Sequence, residues 1–319
     1  MIKIGIVSNP NSTRNKRGLH RLRAALSGRP DMIHAEVSGL GDVGAAMADF
    51  ARHEVGLVIV NGGDGTVRAV LTELFDEGPF ATVPPITALA GGMSNMIAHD
   101  VGVVGNREKA LARIEALSRS GDIQRSIVSR RLIRMEQPSM ARPQFGMFLV
   151  SAAIYDMTEA NRKLHRIGIR DPYAIGVTLG RFAVRRLLAI DRSDSWYRGK
   201  PIAIELDGQC IFDGASLVLI ITTLDRCLLN FKPFWGTGDG PLRLTNVAFP
   251  APRFLRLLPQ LLYGRTDGDL PPGYMSENSE TVTLRMDCPL ILDGDTFEPR
   301  IEAPVTLSGR TSARFLHLT

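Results

Sequence analysis

Five residues, Gly62-Gly63-Asp64-Gly65-Thr66, stand directly behind the apolar run Val55-Gly56-Leu57-Val58-Ile59-Val60. Glycines remove the Cβ that would hold an anion away and permit positive φ, so successive N–H groups can converge on a phosphate. Thr66 opens a helix expected from Val67 to Asp76, and the positive end of its dipole favours the same anion. A carboxylate in such a cradle is unfavourable unless a cation or a transferable proton lies nearby. Asp64 therefore points to a nucleotide with a metal ion. The competing reading is a plain glycine-rich turn between strand and helix.

The elements that must position this loop alternate over residues 1–120. Strands are predicted at Ile2–Ser8, Met32–Val37, Val55–Asn61 and Ile86–Ala90, and helices at Lys16–Leu26, Asp42–His53, Val67–Asp76 and Asn106–Ser120. That alternation predicts right-handed crossovers and a doubly wound parallel sheet, with ligands at the carboxyl ends of its strands. Three loops should then meet there: Asn9-Pro10-Asn11-Ser12, Gly62–Thr66 and Gly91-Gly92-Met93-Ser94-Asn95.

After Gly121 the pattern becomes mainly antiparallel β and sandwich-like. Strands are predicted at Asp122–Glu136, Phe145–Tyr155, Pro201–Phe212, Ser216–Leu224, Leu242–Phe249, Thr281–Met286 and Pro289–Leu292. Helices are expected near Asp156–Ile169, Pro172–Ile190 and Pro252–Gly264. The division is an α/β nucleotide-binding domain over 1–124, completed by the C-terminal segment 304–319, and a β-rich second domain over 125–303. Asp-Gly occurs six times, mostly where hairpins should turn, and Asp-Gly-Asp twice, at Asp267–Asp269 and Asp293–Asp295. Only the second follows a strand, and it is preferred as the functional one.

The run Val60–Val67, with Asn9–Ser12 before it and Gly92–Asn95, Asp239-Gly240 and Asp293-Gly294-Asp295 after it, resembles the diacylglycerol kinase catalytic-domain family. That family includes bacterial soluble lipid kinases and the relatives that act on sphingosine and ceramide. NAD kinases and phosphofructokinases share the glycine motif alone. The resemblance implies Mg²⁺-dependent phosphoryl transfer from ATP to a lipid hydroxyl, with the ATP cleft between the two domains and 125–303 as the lipid-substrate domain, the acceptor being diacylglycerol, ceramide or a sphingoid base. Carried over, Asn9, Asn61, Gly62, Gly63, Gly65, Thr66, Gly92, Ser94 and Asn95 would line the nucleotide. Asp64 would join the metal network, Asp293 would be the general base and Asp295 a second acid near the metal. These roles match what phosphoryl transfer needs: alignment, charge neutralisation and a group to deprotonate the attacking oxygen.

Two positions depart from the family pattern. An Asp usually follows the Asn of the second motif, where this chain has Met96, and Asn-Glu usually follows the glycine motif, where it has Arg68-Ala69. On a helix beginning near Ser94, Asp100 would share the face of Met96, about 6 Å further along the axis. It is read either as a replacement metal-site acid or as a helix-end residue before Val101-Gly102. The departures also admit a catalytically degenerate nucleotide- or lipid-binding regulator, or an NAD-kinase-like enzyme, as alternatives.

The 319 residues are 44% hydrophobic and 22% charged, with a net charge of +5, and no apolar run is long enough to span a bilayer. Three scattered cysteines and a strand-like start predict a cytoplasmic protein without disulfides. Neither Gly-x-Ser-x-Gly nor paired histidines occur, which argues against hydrolase and zinc readings. Arginine interleaves with large apolar residues at Phe182–Leu188 and Pro252–Leu258. Arg181, Arg185, Arg186, Arg253 and Arg256 are accordingly candidate contacts to an anionic membrane, at whose inner face the protein would sit peripherally. With 6% aromatics and no stacking motif, nucleic acid is not the expected partner. A homodimer is one assembly the sequence allows.

Overall fold

A computed structural model describes residues 2–92, 94–103, 105–155, 199–265 and 270–318. Among these, the first unit is built on a six-stranded sheet in the order β2-β1-β3-β4-β17-β5. Its strands are β1 (Ile4–Ser8), β2 (Met32–Glu36), β3 (Leu57–Gly62), β4 (Ile86–Ala90), β5 (Ile127–Arg131) and β17 (Ser312–Leu316). The pairings β1–β2, β1–β3, β3–β4 and β4–β17 are parallel, and only β5 runs antiparallel, against β17. Both faces must be covered in such a sheet, which explains why β1 and β3 are buried along their whole length. The helices that cover it are α1 (Asn15–Leu26), α2 (Leu40–Arg52), α3 (Asp64–Phe75), α4 (Met96–Val101) and α5 (Arg107–Ser120).

The remaining strands form an eleven-stranded, antiparallel second sheet. They are β6 (Ile133–Glu136), β7 (Gln144–Gly146), β8 (Phe148–Ala152), β9 (Lys200–Leu206), β10 (Gln209–Thr222), β11 (Leu242–Ala248), β12 (Tyr274–Ser279), β13 (Thr281–Met286), β14 (Leu290–Leu292), β15 (Asp295–Phe297) and β16 (Val305–Ser308). One further helix, α6 (Phe254–Tyr263), lies between β11 and β12. The chain crosses between sheets at Leu132 and again between Ser308 and Ser312. Of the segment 304–319, then, β16 stays in the second sheet and β17 joins the first.

Several predicted boundaries move for local reasons. The β9–β10 hairpin turns at Asp207-Gly208, both with positive φ (48° and 85°), so Asp213-Gly214 falls inside β10 instead of ending a strand. α3 begins at Asp64, three residues before the predicted start. β12 leaves no signal in the sequence, because Tyr-Met-Ser-Glu-Asn-Ser carries no regular apolar alternation. The helices expected at Asp156–Ile169 and Pro172–Ile190 lie outside the described residues.

The two units share one seam. Phe145, Met147, Leu132 and Leu224 join the apolar cluster formed by α3, α4 and the first sheet. Arg142 pairs with Glu73 across it, and Phe145 N–H donates to Thr72 Oγ1 at 3.1 Å.

Candidate active site

The glycine loop ends β3 and caps α3, with Gly63 in extended conformation and Thr66 N–H donating to Gly63 O at 2.9 Å. It lies against the loop that follows β4. Gly91 N–H donates to Gly62 O at 3.0 Å, and a Cβ on Gly92 would lie 2.5 Å from Gly63 Cα. The two loops therefore meet main chain to main chain, a contact only glycine permits.

Asp64 fastens them together. Its Oδ2 accepts from Ser94 Oγ at 2.6 Å and Met96 N–H at 3.1 Å, and its Oδ1 from Ile97 N–H at 3.1 Å. The carboxylate thus caps the amino end of α4 while opening α3. Burial raises its pKa, and the Ser94 hydroxyl and the Ile97 and Met96 N–H groups oppose that rise. Asn95, left-handed at φ 49°, closes its own loop by bonding both N–H and C=O of Gly92. Asn9 ties the loop after β1 to Thr66, with Nδ2 3.1 Å from Oγ1. Asn61 is fully buried; its Nδ2 donates to Ser8 Oγ at 3.0 Å, and its Oδ1 has no partner among the described residues.

Three residues that sequence reasoning missed complete this side. Asn15, 2% exposed, donates to the carbonyls of Asn9 (2.7 Å) and Asn61 (2.8 Å) and accepts from Arg107 Nη1 at 2.6 Å. Arg14 Nη1 donates to Ala90 O at 3.3 Å. Burial lowers the pKa of Arg107, and the nearby charge of Arg14 lowers it further. Among the described residues neither guanidinium has a carboxylate partner, so two positive charges lie together beside the glycine loops. The signal available in the sequence was Arg107 itself, a cation at the first position of a helix, where the dipole disfavours it.

Opposite stands the β14–β15 hairpin, whose turn is Asp293 (φ 46°) and Gly294 (φ 96°). Its preference for Asp-Gly follows from those angles. The Asp293 side chain reaches back to β8, its oxygens accepting from Met147 N–H at 2.7 Å and Phe148 N–H at 3.0 Å. Asp293 is 1% exposed, and its pKa stands well above the usual carboxylate range. Burial is the first cause and the charge of Asp64 the second; the main-chain donors and Arg68 pull the other way. Asp295 projects from the same turn over Gly65, where a Cβ would lie 3.3 Å from its Oδ2. It is held by Arg68, whose Nε and Nη2 both lie 2.7 Å from Oδ2. Arg68 also bonds Gln144 and lies 5.6 Å from the Phe297 ring centre.

Residues 3–126 match the sequence model of the diacylglycerol kinase catalytic domain. Over that segment the chain is similar to this family's catalytic domain. Its reaction class is phosphotransfer to an alcohol group, as a lipid or small-molecule kinase of this superfamily that uses a nucleotide. The fold is shared with a solved diacylglycerol kinase from Bacillus anthracis, at 16% identity and TM-score 0.61, covering 99% of this chain and 97% of that one. It is shared also with a candidate diacylglycerol kinase from the same organism, at 15% identity and TM-score 0.65, with the same coverage. No curated protein matches the sequence.

Not every candidate from the sequence reaches the kinase site. Asp100, 2% exposed at its side chain, turns to Arg130, 3.4 Å away, and to the backbone of residue 225. It therefore does not replace the acid missing at Met96; the position four residues on faces the second domain. Asp239-Gly240 packs on Ser279 of β12. Arg181, Arg185, Arg186 and Asp267–Asp269 lie outside the described residues, as does Met93. Arg253 and Arg256 are exposed at α6.

The carboxylates of this kinase domain limit how it could hold Mg²⁺. Three of the roughly four lone-pair directions of Asp64 are already used. Asp295, the second acid expected near the metal, has its charge met by Arg68. No group of three or more metal-ligating side chains occurs among the described residues. The donor set fits an ion held mainly by phosphate oxygens with one contact from Asp64, as Mg²⁺ commonly is; it does not build a protein cage.

Proposed function

We propose that the chain transfers the terminal phosphoryl group of ATP to a hydroxyl of a membrane lipid, with Asp293 as general base. The observation that carries this reading is the placement of Asp293. It is a carboxyl of raised pKa, fixed by two main-chain donors, on a turn that touches the phosphate-type glycine loop of the other domain. A base works best when its pKa lies near the operating pH. Burial and the neighbouring Asp64 move Asp293 in that direction.

The β- and γ-phosphates would lie on the N–H groups of Gly62–Thr66, with Arg14 and Arg107 supplying positive charge from the α1 and α5 side. Asp64 would hold the Mg²⁺ that accompanies ATP, which neutralises phosphate charge when bound. Arg68 fixes the late turn against α3 by pairing with Asp295. Asp293 is sealed in the closed seam, so an acceptor hydroxyl reaches it only when the contact between Gly65 and the Asp293–Asp295 turn parts. Phosphoryl transfer of this kind draws mainly on positioning and charge, and the site supplies both.

The acceptor is read as diacylglycerol, ceramide or a sphingoid-type lipid presented by an anionic membrane. α6 supports this: Phe254, Leu255, Leu257 and Leu258 are only half-buried, Tyr263 is 49% exposed, and Arg253 and Arg256 lie on the same helix end. No helix among the described residues is long and apolar enough to cross a membrane. The test is transfer of ³²P from ATP to a total lipid extract. Labelled lipid is expected from the wild-type chain, with a loss of about 10³-fold in Asp293→Asn. Undiminished transfer by that variant would move the base elsewhere. Label in NAD and none in lipid would establish the rival superfamily reaction.

A further inference from the structure

A cavity of about 570 Å³ opens between the two domains on the side of β5 and β17. None of its lining comes from the loops after β1 and β3 or from Gly91–Asn95. α4 stands between the two places. Its first residues are held by Asp64, whereas its His99 and Asp100 face the cavity. The cavity is therefore distinct from the nucleotide cradle, and its chemistry has to be explained separately.

Four cations line it (Arg130, Arg226, Lys232 and Arg243) against two carboxylates (Asp100 and Asp225). Two of the cations are committed. Arg130 reaches Asp225 at 2.7 Å and Asp100 at 3.4 Å, and Arg243 reaches Asp225 at 2.9 Å while its guanidinium lies 4.8 Å from the centre of the Phe234 ring. These contacts fix both guanidiniums and leave each with unused N–H donors. Arg226 and Lys232 are exposed and have no ion-pair partner among the described residues, so two positive charges are in excess. Like charges do not collect around a concave space without cost, and among the described residues no carboxylate pairs with these two.

We propose that this cavity binds a phosphate group of a second ligand, separate from the nucleotide. Fixed guanidiniums with N–H groups to spare match the several oxygens of a phosphate. The volume is in the range of small-molecule sites and exceeds that of a bare ion, so the phosphate belongs to something larger or enters with water. The surroundings bear on its source. Lys232 N–H donates to Leu262 O of α6 at 2.9 Å, and next to this contact in the chain the side chains of Leu229 and Tyr263 are 56% and 49% exposed. A phospholipid headgroup entering from an apposed bilayer and a free phosphate compound share the chemistry required.

Binding decides this without reference to catalysis. The full chain, saturated with a non-hydrolysable ATP analogue, is titrated calorimetrically with inorganic phosphate and with pyrophosphate. In parallel it is floated with phosphatidylcholine vesicles with and without about one-fifth phosphatidylglycerol. The variants are Arg226→Ala/Lys232→Ala, both at exposed positions, and Arg17→Ala/Arg21→Ala on exposed α1 positions, which removes the same charge elsewhere. The expected result is saturable binding of at least one probe, weakened about tenfold or more by the first pair and little by the second. Affinity for the ATP analogue should stay unchanged. Binding of phosphate alone identifies a free phosphate compound, and binding that needs the anionic vesicle identifies a headgroup. Equal losses in both variants would reduce the effect to overall charge and overturn the proposal. So would probe binding that appears only when the ATP analogue is left out, or no binding of any probe.

Discussion

The glycine loops and the Asp293–Asp295 turn meet at one seam, yet they are built by opposite means. In the first, main chain approaches main chain, the side chains of Asp64 and Asn9 hold the loops to one another, and Asn95 closes its own loop. In the second, main-chain N–H groups hold a side chain, the buried carboxylate of Asp293. One region offers backbone to a ligand and uses its acid as a fastener. The other offers an acid and uses backbone as the fastener. An aspartate in a motif is thus no guide to its role until its hydrogen bonds are known.

The comparison breaks most visibly in paired variants. Asp293→Asn should lower kcat by about 10³-fold while affinity for a non-hydrolysable ATP analogue stays within about twofold. Gly92→Ala should do the reverse. Its Cβ would meet Gly63 Cα at 2.5 Å, backbone that cannot swing aside, so the loops separate at a cost of about 1–3 kcal/mol in stability. Nucleotide affinity should fall about tenfold or more, because the convergent N–H groups no longer share one centre. Calorimetric titration with the analogue and steady-state kinetics measure both. Equal behaviour of the two variants would erase the division of labour.

A smaller effect sharpens the division within the first region. If Arg14 and Arg107 supply the charge while the motif residues supply geometry, Arg107→Ala should weaken ATP-analogue binding about tenfold. The same substitution should leave affinity for adenosine unchanged, since adenosine carries no phosphate. A parallel loss for adenosine would show that Arg107 acts through Asn15 on loop shape instead.

Much of the first domain was legible, because parallel strands buried on both faces and their helices leave period and punctuation in the sequence. The glycine loop, the Asn9 loop and the Asp293 turn could be named for the same reason: each needs residues of unusual backbone freedom. What escaped notice has no such mark. Arg14, Asn15 and Arg107 act through distances set by the fold, and Asn15 contacts Arg107 across 92 positions of the chain. The second domain was blurred by its many Asp-Gly pairs. Asp207-Gly208 turns a hairpin while Asp213-Gly214 does not, a choice made by strand pairing and not by the dipeptide. Asp100 was drawn toward the nucleotide site by helical spacing alone, and Arg130 decides its direction.

The smallest predicted effect concerns the cost of holding an acid by backbone in a sealed seam. Asp293 has a folded-state pKa above its unfolded value of about 3.9. Between those two values the folded chain keeps a proton that the unfolded chain has released. Stability contributed by this group is therefore fully present below the unfolded pKa and is lost as pH rises through the folded pKa. Asp293→Asn removes that slope. Whatever constant penalty arises from turning an amide toward a main-chain N–H, the stability of the variant relative to wild type should improve as pH rises from about 4 toward the folded-state pKa and level off beyond it. Urea unfolding of both proteins across that range reads the difference directly. Asp64, also raised by burial, is present in both chains, so its own slope should largely cancel in the comparison. A difference that stays flat with pH would mean that Asp293 is already ionised throughout the range, and its readiness to accept a proton near neutrality would have to come from the opened seam.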